Sequence, residues 1–366
     1  MPALQSLRGL AALWVVLYHV QVYLRYYNLD LLPIPGLRLG WLGVDLFFVL
    51  SAYLLGQPFL DGRPPRYRRF IADRFLRVAP PYYAAFAFAA LAYAAFAPEA
   101  WIPSKAWWSL VFLQNFRKQT FIAANPAFWS LAVELQFYLL LPWMARLFRG
   151  RRWPWALAGA LLASYLWRAL LYRVGTEDAL QWETFTLPGF LGHFALGLAA
   201  GRLRRIGAPI RPGVRRATFA GGLALVALPA WLWIPAGSIY FSVLSLAGDT
   251  LVRPVAACGF ALVVLATASG GWVTRALSWK PLEWLGAISY SLYLIHVPAE
   301  ILALKAVPPV QDPLAWSLVA VLGSLLAGWL LYRGVEAPAE VWRRRRKLRQ
   351  RAAANAARAA VSPPPP

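Results

Sequence analysis

The chain has 366 residues, 60% of them hydrophobic, 15% aromatic and only 14% charged, with a formal charge of +22. Soluble domains carry nearer a quarter charged residues, so this composition excludes an ordinary soluble enzyme and points to a polytopic membrane protein. The positive charge does not point to nucleic acid, because the basic residues gather in short loops between apolar segments, as in cytoplasmic loops of membrane proteins.

Ten transmembrane helices are predicted in an all-α bundle, at 6–24, 41–59, 79–97, 127–147, 153–172, 185–203, 217–235, 251–270, 284–303 and 314–334. The first, LQSLRGLAALWVVLYHV, carries Arg8 and His19. Eleven residues are close to three helical turns, so both project from one stripe, roughly 16 Å apart along the axis. The second, GWLGVDLFFVLSAYLL, holds Asp45 and Ser51, and DRFLRVAPPYY brings Arg74 and Arg77, spaced i,i+3, to the start of the third. Glu134 lies in the fourth, His193 in the glycine-rich sixth, and Tyr290, Tyr293 and His296 in the ninth. The lone Cys258 permits neither an intrachain disulfide nor a CxxC metal site, and no metal site is expected.

Loops such as DGRPPRYRRFIADRFLR, RLFRGRR and GRLRRIGAPIRPGVRR, with the tail WRRRRKLRQR, carry most of the Lys and Arg. The positive-inside rule therefore puts both termini in the cytoplasm. Residues 1–340 read as the membrane domain and 341–366 as a basic, then proline-rich, disordered cytoplasmic tail. No cleaved leader, internal repeat or second folded domain is expected.

Ionisable groups within membrane spans are expensive and so are candidates for function. Counting residues from helix ends sets His19, Asp45 and Glu134 within a few ångströms of one depth toward the outside, with His296 about two-thirds of the way out. Arg8, Arg74 and Arg77 lie at the inner side. A guanidinium fork suits phosphate, and an imidazole beside a carboxylate suits general-base work on a hydroxyl. Each group also has a structural reading. The arginine pair can anchor on headgroups, Asp45 and Glu134 can tie helices together, and His193 reads first as a satisfied packing partner.

Five stretches together resemble the acyltransferase-3 family of integral-membrane O-acyltransferases: RGLAALWVVLYH, GVDLFFVLSAYLL, RFLRVAPPYY, FWSLAVELQFYLLLP, and LGAISYSLYLIHVP with VEAP, in the family's order. The resemblance implies transfer of an acyl group, most often acetyl, from cytoplasmic acyl-CoA to a hydroxyl of an extracytoplasmic carbohydrate or glycolipid. It implies a bacterial cytoplasmic membrane location and no tightly bound cofactor. It makes His19 the leading catalytic candidate and matches Glu134 to the family's required acid; either Glu134 or Asp45 is expected to orient and charge-balance the imidazolium. Arg8, Arg74, Arg77 and Ser51 are expected to receive the acyl-CoA, with Tyr290, His296 and Ser289 as secondary candidates. Direct transfer and a brief acyl-histidine are both open.

Two departures stand out. Ala52 occupies the position after Ser51 where the family usually has glycine, and the chain stops after the tenth helix where many members continue into an extracellular domain. The acceptor is therefore expected to meet the membrane domain itself or a separate periplasmic partner. A secondary transporter or flippase for a cell-envelope precursor is the alternative reading, and a non-catalytic scaffold a third. The former would be favoured by an inverted repeat or paired broken helices, and neither is apparent.

Overall fold

The computed structural model describes residues 1–29, 35–96, 102–174, 183–207, 210–233 and 251–361. Among these the regular structure is helical, without strands. Eleven helices carry the argument: α1 Pro2–Tyr26, α2 Gly43–Leu60, α3 Tyr67–Phe96, α4 Trp129–Arg149, α5 Trp153–Val174, α6 Leu187–Ile206, α7 Pro212–Trp233, α8 Arg253–Ala268, α9 Lys280–Ala306, α10 Pro313–Leu331 and α11 Ala337–Val361. Each of the ten expected segments overlaps one of α1–α10. Among the described residues six spans are long and apolar enough by themselves to cross a membrane: those built on α1, α2, α3, α4, α9 and α10. The protein is an integral membrane protein.

The α10 sequence shows why the bundle sits in lipid. Asp312 caps its N-terminus by accepting from the Ala315 N–H at 2.9 Å, and Pro313 follows at the first helical position, where its missing N–H costs nothing. Leu314, Leu318, Leu322, Leu326 and Leu330 then form an exposed stripe at four-residue spacing. The opposite face buries Trp316, Ala320, Ser324 and Gly328. An apolar face outward and a small, polar-bearing face inward reverse the pattern of a soluble helix.

Helix α9 is the central post and packs against α1, α3 and α10. It runs parallel to α1, and the two backbones meet at Gly9 and Gly286. A Cβ built on Gly9 would stand 2.5 Å from the Gly286 nitrogen, so no side chain fits. Ten residues further along both helices, the same alignment brings His19 against His296. A second parallel pair, α2 and α6, packs alongside, with α5 against α6 and α7 against α8.

The tail departs from expectation. Residues 341–361 continue the helix begun at Ala337, and only 362–366 lie outside the described residues. Alanine, arginine, lysine and glutamine are strong helix formers. Glu340 pairs with Arg343 and Arg344 one turn on, and Lys347 reaches Asp73 of α3 at 2.9 Å, which docks the helix on the bundle.

Candidate functional site

Three sites line up along the bundle, from the end where α1 meets α2 to the arginine-bearing end. The first is a chamber of about 120 Å³ lined by His19 and Tyr18 of α1, with Trp41, Val44, Trp129, Phe185, Arg253 and Tyr293 in its wall. The histidine pair fixes its own protons. His296 Nδ1 lies 2.7 Å from the Tyr293 carbonyl, which can only accept, so that nitrogen carries the proton and His296 Nε2 is an acceptor. This Nε2 faces His19 Nδ1 at 3.3 Å, and the Val15 carbonyl faces the same Nδ1 at 3.0 Å. Two acceptors on Nδ1 hold the proton there. His19 Nε2 therefore keeps its lone pair, on a ring that forms part of the chamber wall.

The second is a slot of about 30 Å³, room for one water-sized group, lined by Arg8, Val44, Phe47, Phe48, Ser51, Ser130, Leu131, Glu134, Tyr290 and Tyr293. Val44 and Tyr293 line both cavities, so slot and chamber adjoin. Ser51 donates its hydroxyl proton to Glu134 across α2 and α4. Tyr293 spends its hydroxyl on the Ala127 carbonyl at 2.9 Å and on Ser130 at 2.7 Å, which holds the shared wall in place.

The third lies beyond Tyr290, whose ring has the Arg77 guanidinium 5.8 Å from its centre. Arg77 pairs with Glu336 at 2.7 Å, and Ser291 also donates to Glu336. Arg74, one turn back on α3, has its Nε buried with no hydrogen-bond partner among the described residues.

A fourth polar centre adjoins the chamber, whose wall includes its Arg253. Asp45 is wholly buried, accepts from His193 Nε2 at 2.7 Å and pairs with Arg253 Nη1 at 3.0 Å. Arg253 lies over Trp41, 4.4 Å from the ring centre, and near the rings of Phe185 and Phe190. The carboxylate, imidazole and guanidinium come from α2, α6 and α8, so the cluster ties three helices.

The profile of the acyltransferase-3 family, described as an acyltransferase domain, matches residues 1–333. The chain belongs to that family. Among the relatives of this family member, the peptidoglycan O-acetyltransferase OatA of Listeria monocytogenes is 26% identical over 365 residues, covering 92% of this chain and 55% of the relative. The putative membrane-bound transacylase BcsY of Komagataeibacter xylinus is 28% identical, covering 82% and 73%. The putative peptidoglycan O-acetyltransferase YrhL of Bacillus subtilis is 26% identical, covering 92% and 54%. The acyltransferase-3 chain thus spans about half the length of the two peptidoglycan relatives. No solved structure matches it significantly. Helices and relatives together mark an integral bacterial membrane protein.

Against these positions the expected site needs two corrections. Neither carboxylate contacts His19. Asp45 is engaged by His193 and Arg253, and Glu134 by Ser51, so the imidazole of His19 is oriented by His296 and the Val15 carbonyl instead. Depth along the helices placed these groups at similar heights, but height does not give the direction each face looks. Ser289 bonds back to the Gly286 carbonyl of its own helix at 2.8 Å and lines neither cavity, and Tyr290 lines the slot with its hydroxyl donated to Val78.

The sequence reading missed Arg253 and Glu336 as partners. A buried aspartate requires a counter-cation, and the arginine opening α8 just before Pro254 was the available signal. The unusual Ala52 has its own answer. A Cβ on Gly197 of α6 would come 2.7 Å from that of Ala52, so the methyl added on α2 fits because its neighbour has none.

Proposed function

We propose that this protein transfers an acetyl group from cytoplasmic acetyl-CoA to a hydroxyl of a carbohydrate of the cell envelope, with His19 as the base or transient acyl carrier. The observation that supports this best is the adjoining slot and chamber: the slot, lined by Arg8, Ser51 and Glu134, shares Val44 and Tyr293 with the chamber that His19 lines with a free lone pair on its ring. In this reading the coenzyme A phosphates rest near Arg74 and Arg77, and the slot, which holds one water-sized group as it stands, widens to admit the thioester to the shared wall at Tyr293. His19 Nε2 takes the proton of the acceptor hydroxyl as its oxygen bonds to the thioester carbon. The carbon–sulfur bond breaks, and the proton passes to the departing thiolate, giving an ester and free coenzyme A. The positive charge that forms on His19 is shared with His296 through the Nδ1–H hydrogen bond.

The aromatic wall of Trp41, Trp129, Phe185 and Tyr18 suits a sugar ring, which stacks its C–H face on indole or phenol. Peptidoglycan as the acceptor is supported by the names of two of the relatives.

The test uses oriented proteoliposomes with labelled acetyl-CoA on the arginine-bearing side and peptidoglycan fragments or a soluble oligosaccharide inside. Labelled ester in the lumen is the expected product. Gradient-coupled flux of either substrate with no ester would make the protein a transporter and end this reading.

A further inference from the structure

Helix α11 begins beyond the span matched by the family profile, yet it packs onto α3 beside Arg74 and Arg77. Its Arg343 is only 9% exposed although it stands in a strongly basic helix. One guanidinium nitrogen donates to Glu340 at 2.5 Å, while its Nε is buried with no hydrogen-bond partner among the described residues. Arg74 has a buried, unpartnered Nε as well, and it lies close enough to Arg77 and to Arg343 to be repelled by both. Around this junction Arg74, Arg77, Arg343, Arg344 and Lys347 face only Asp73, Glu336 and Glu340 among the described residues.

With Arg344 75% exposed and in water, the junction still holds one cation more than its carboxylates, and its two buried N–H groups left without acceptors are costly unless an anion completes the site. A planar fork beside a second fork suits phosphate better than a carboxylate, which these arginines already possess. The junction also adjoins the slot, since Arg77 lies 5.8 Å from the centre of the Tyr290 ring, which lines it.

We propose that α11 forms the second wall of the coenzyme A phosphate site and that Arg343 is its third arginine, with Arg74 and Arg77. This rests on the acyl-CoA reading of the previous section. Phosphate could also come from a lipid headgroup, and the experiment separates the two.

Acetyl-CoA and S-acetyl-pantetheine, which lacks the nucleotide phosphates, are compared as donors for wild type, Arg343→Gln and Arg345→Gln in phosphatidylcholine liposomes, and again with anionic phosphatidylglycerol added. Arg345 is exposed on the same helix and serves as the control. Arg343→Gln is expected to raise the KM for acetyl-CoA ~10-fold or more in both lipids. It should leave S-acetyl-pantetheine turnover unchanged, which also shows the variant folded, and Arg345→Gln should stay within about twofold on both donors. Equal loss on both donors would make Arg343 a structural residue, and an unchanged KM would remove it from the site. An effect confined to anionic liposomes would assign the site to lipid headgroups. Each of these three results overturns the proposal. Failure of the wild type to bind acetyl-CoA at all would instead overturn the donor reading on which it stands.

Discussion

Two histidines in the body of this bundle meet very different surroundings. His193 of α6 is enclosed by Asp45, with Arg253 on the other carboxylate oxygen, so its Nε2 is committed to a charge-assisted bond between helices. His19 of α1 meets no carboxylate; its Nδ1 is held by a carbonyl and a second imidazole, and its ring lines a chamber. The contrast shows that burial and a polar partner do not make a reactive imidazole. What distinguishes the two is which nitrogen is engaged, by which partner, and that the His19 ring lines the chamber.

Exchanging the losses at the two sites is the sharpest way to break this comparison. His19→Ala should lower acetyl transfer at least ~10³-fold with an unchanged unfolding midpoint, the size expected for loss of a general base. Asp45→Ala should do the reverse. It strands the Arg253 guanidinium, which also lines the chamber, and should cost about 3–5 kcal/mol of stability, read in detergent unfolding, while activity per folded molecule falls far less than in His19→Ala. A catalytic collapse in folded Asp45→Ala would erase the distinction.

His296 sharpens the account further. His296→Phe removes the acceptor that holds the His19 tautomer and should cost about 10–100-fold in kcat with KM little changed. His296→Asn, whose amide oxygen can accept the same proton, should recover part of that loss. A purely structural role would move stability in both variants and leave the split between kcat and KM undisturbed. The smallest effect concerns α2 against α6. Gly197→Ala should destabilise by about 1–3 kcal/mol, since a Cβ there meets the Val49 carbonyl oxygen as well as the Ala52 methyl at 2.7 Å, and adding Ala52→Gly, which relieves only the second clash, should restore only a minor part.

The helical segments were legible because apolar runs of this length, recurring from end to end, are stable only in a bilayer. So were Arg8 and His19, which a single helical period relates, and which line the adjoining slot and chamber. The pairing of acids was not legible. Asp45 finds its partners 148 and 208 residues away, and nothing local in GVDLFF says which way its face turns. The α2, α6 and α9 faces are apolar nearly all round, so periodicity marks no preferred side. Arg343 escaped notice for a different reason. In a run of four arginines composition cannot tell the one that turns inward; only the docking of α11 on α3 does.

The most direct test of the central claim is single-turnover cleavage of labelled acetyl-CoA, without acceptor, by wild type, His19→Ala and His193→Ala in liposomes. All three are compared per folded molecule, judged by unfolding. Slow thioester cleavage in wild type and His193→Ala, absent in His19→Ala, is the predicted result. Equal cleavage by wild type and His19→Ala, or loss in His193→Ala alone, would contradict the assignment of His19 as the reactive imidazole.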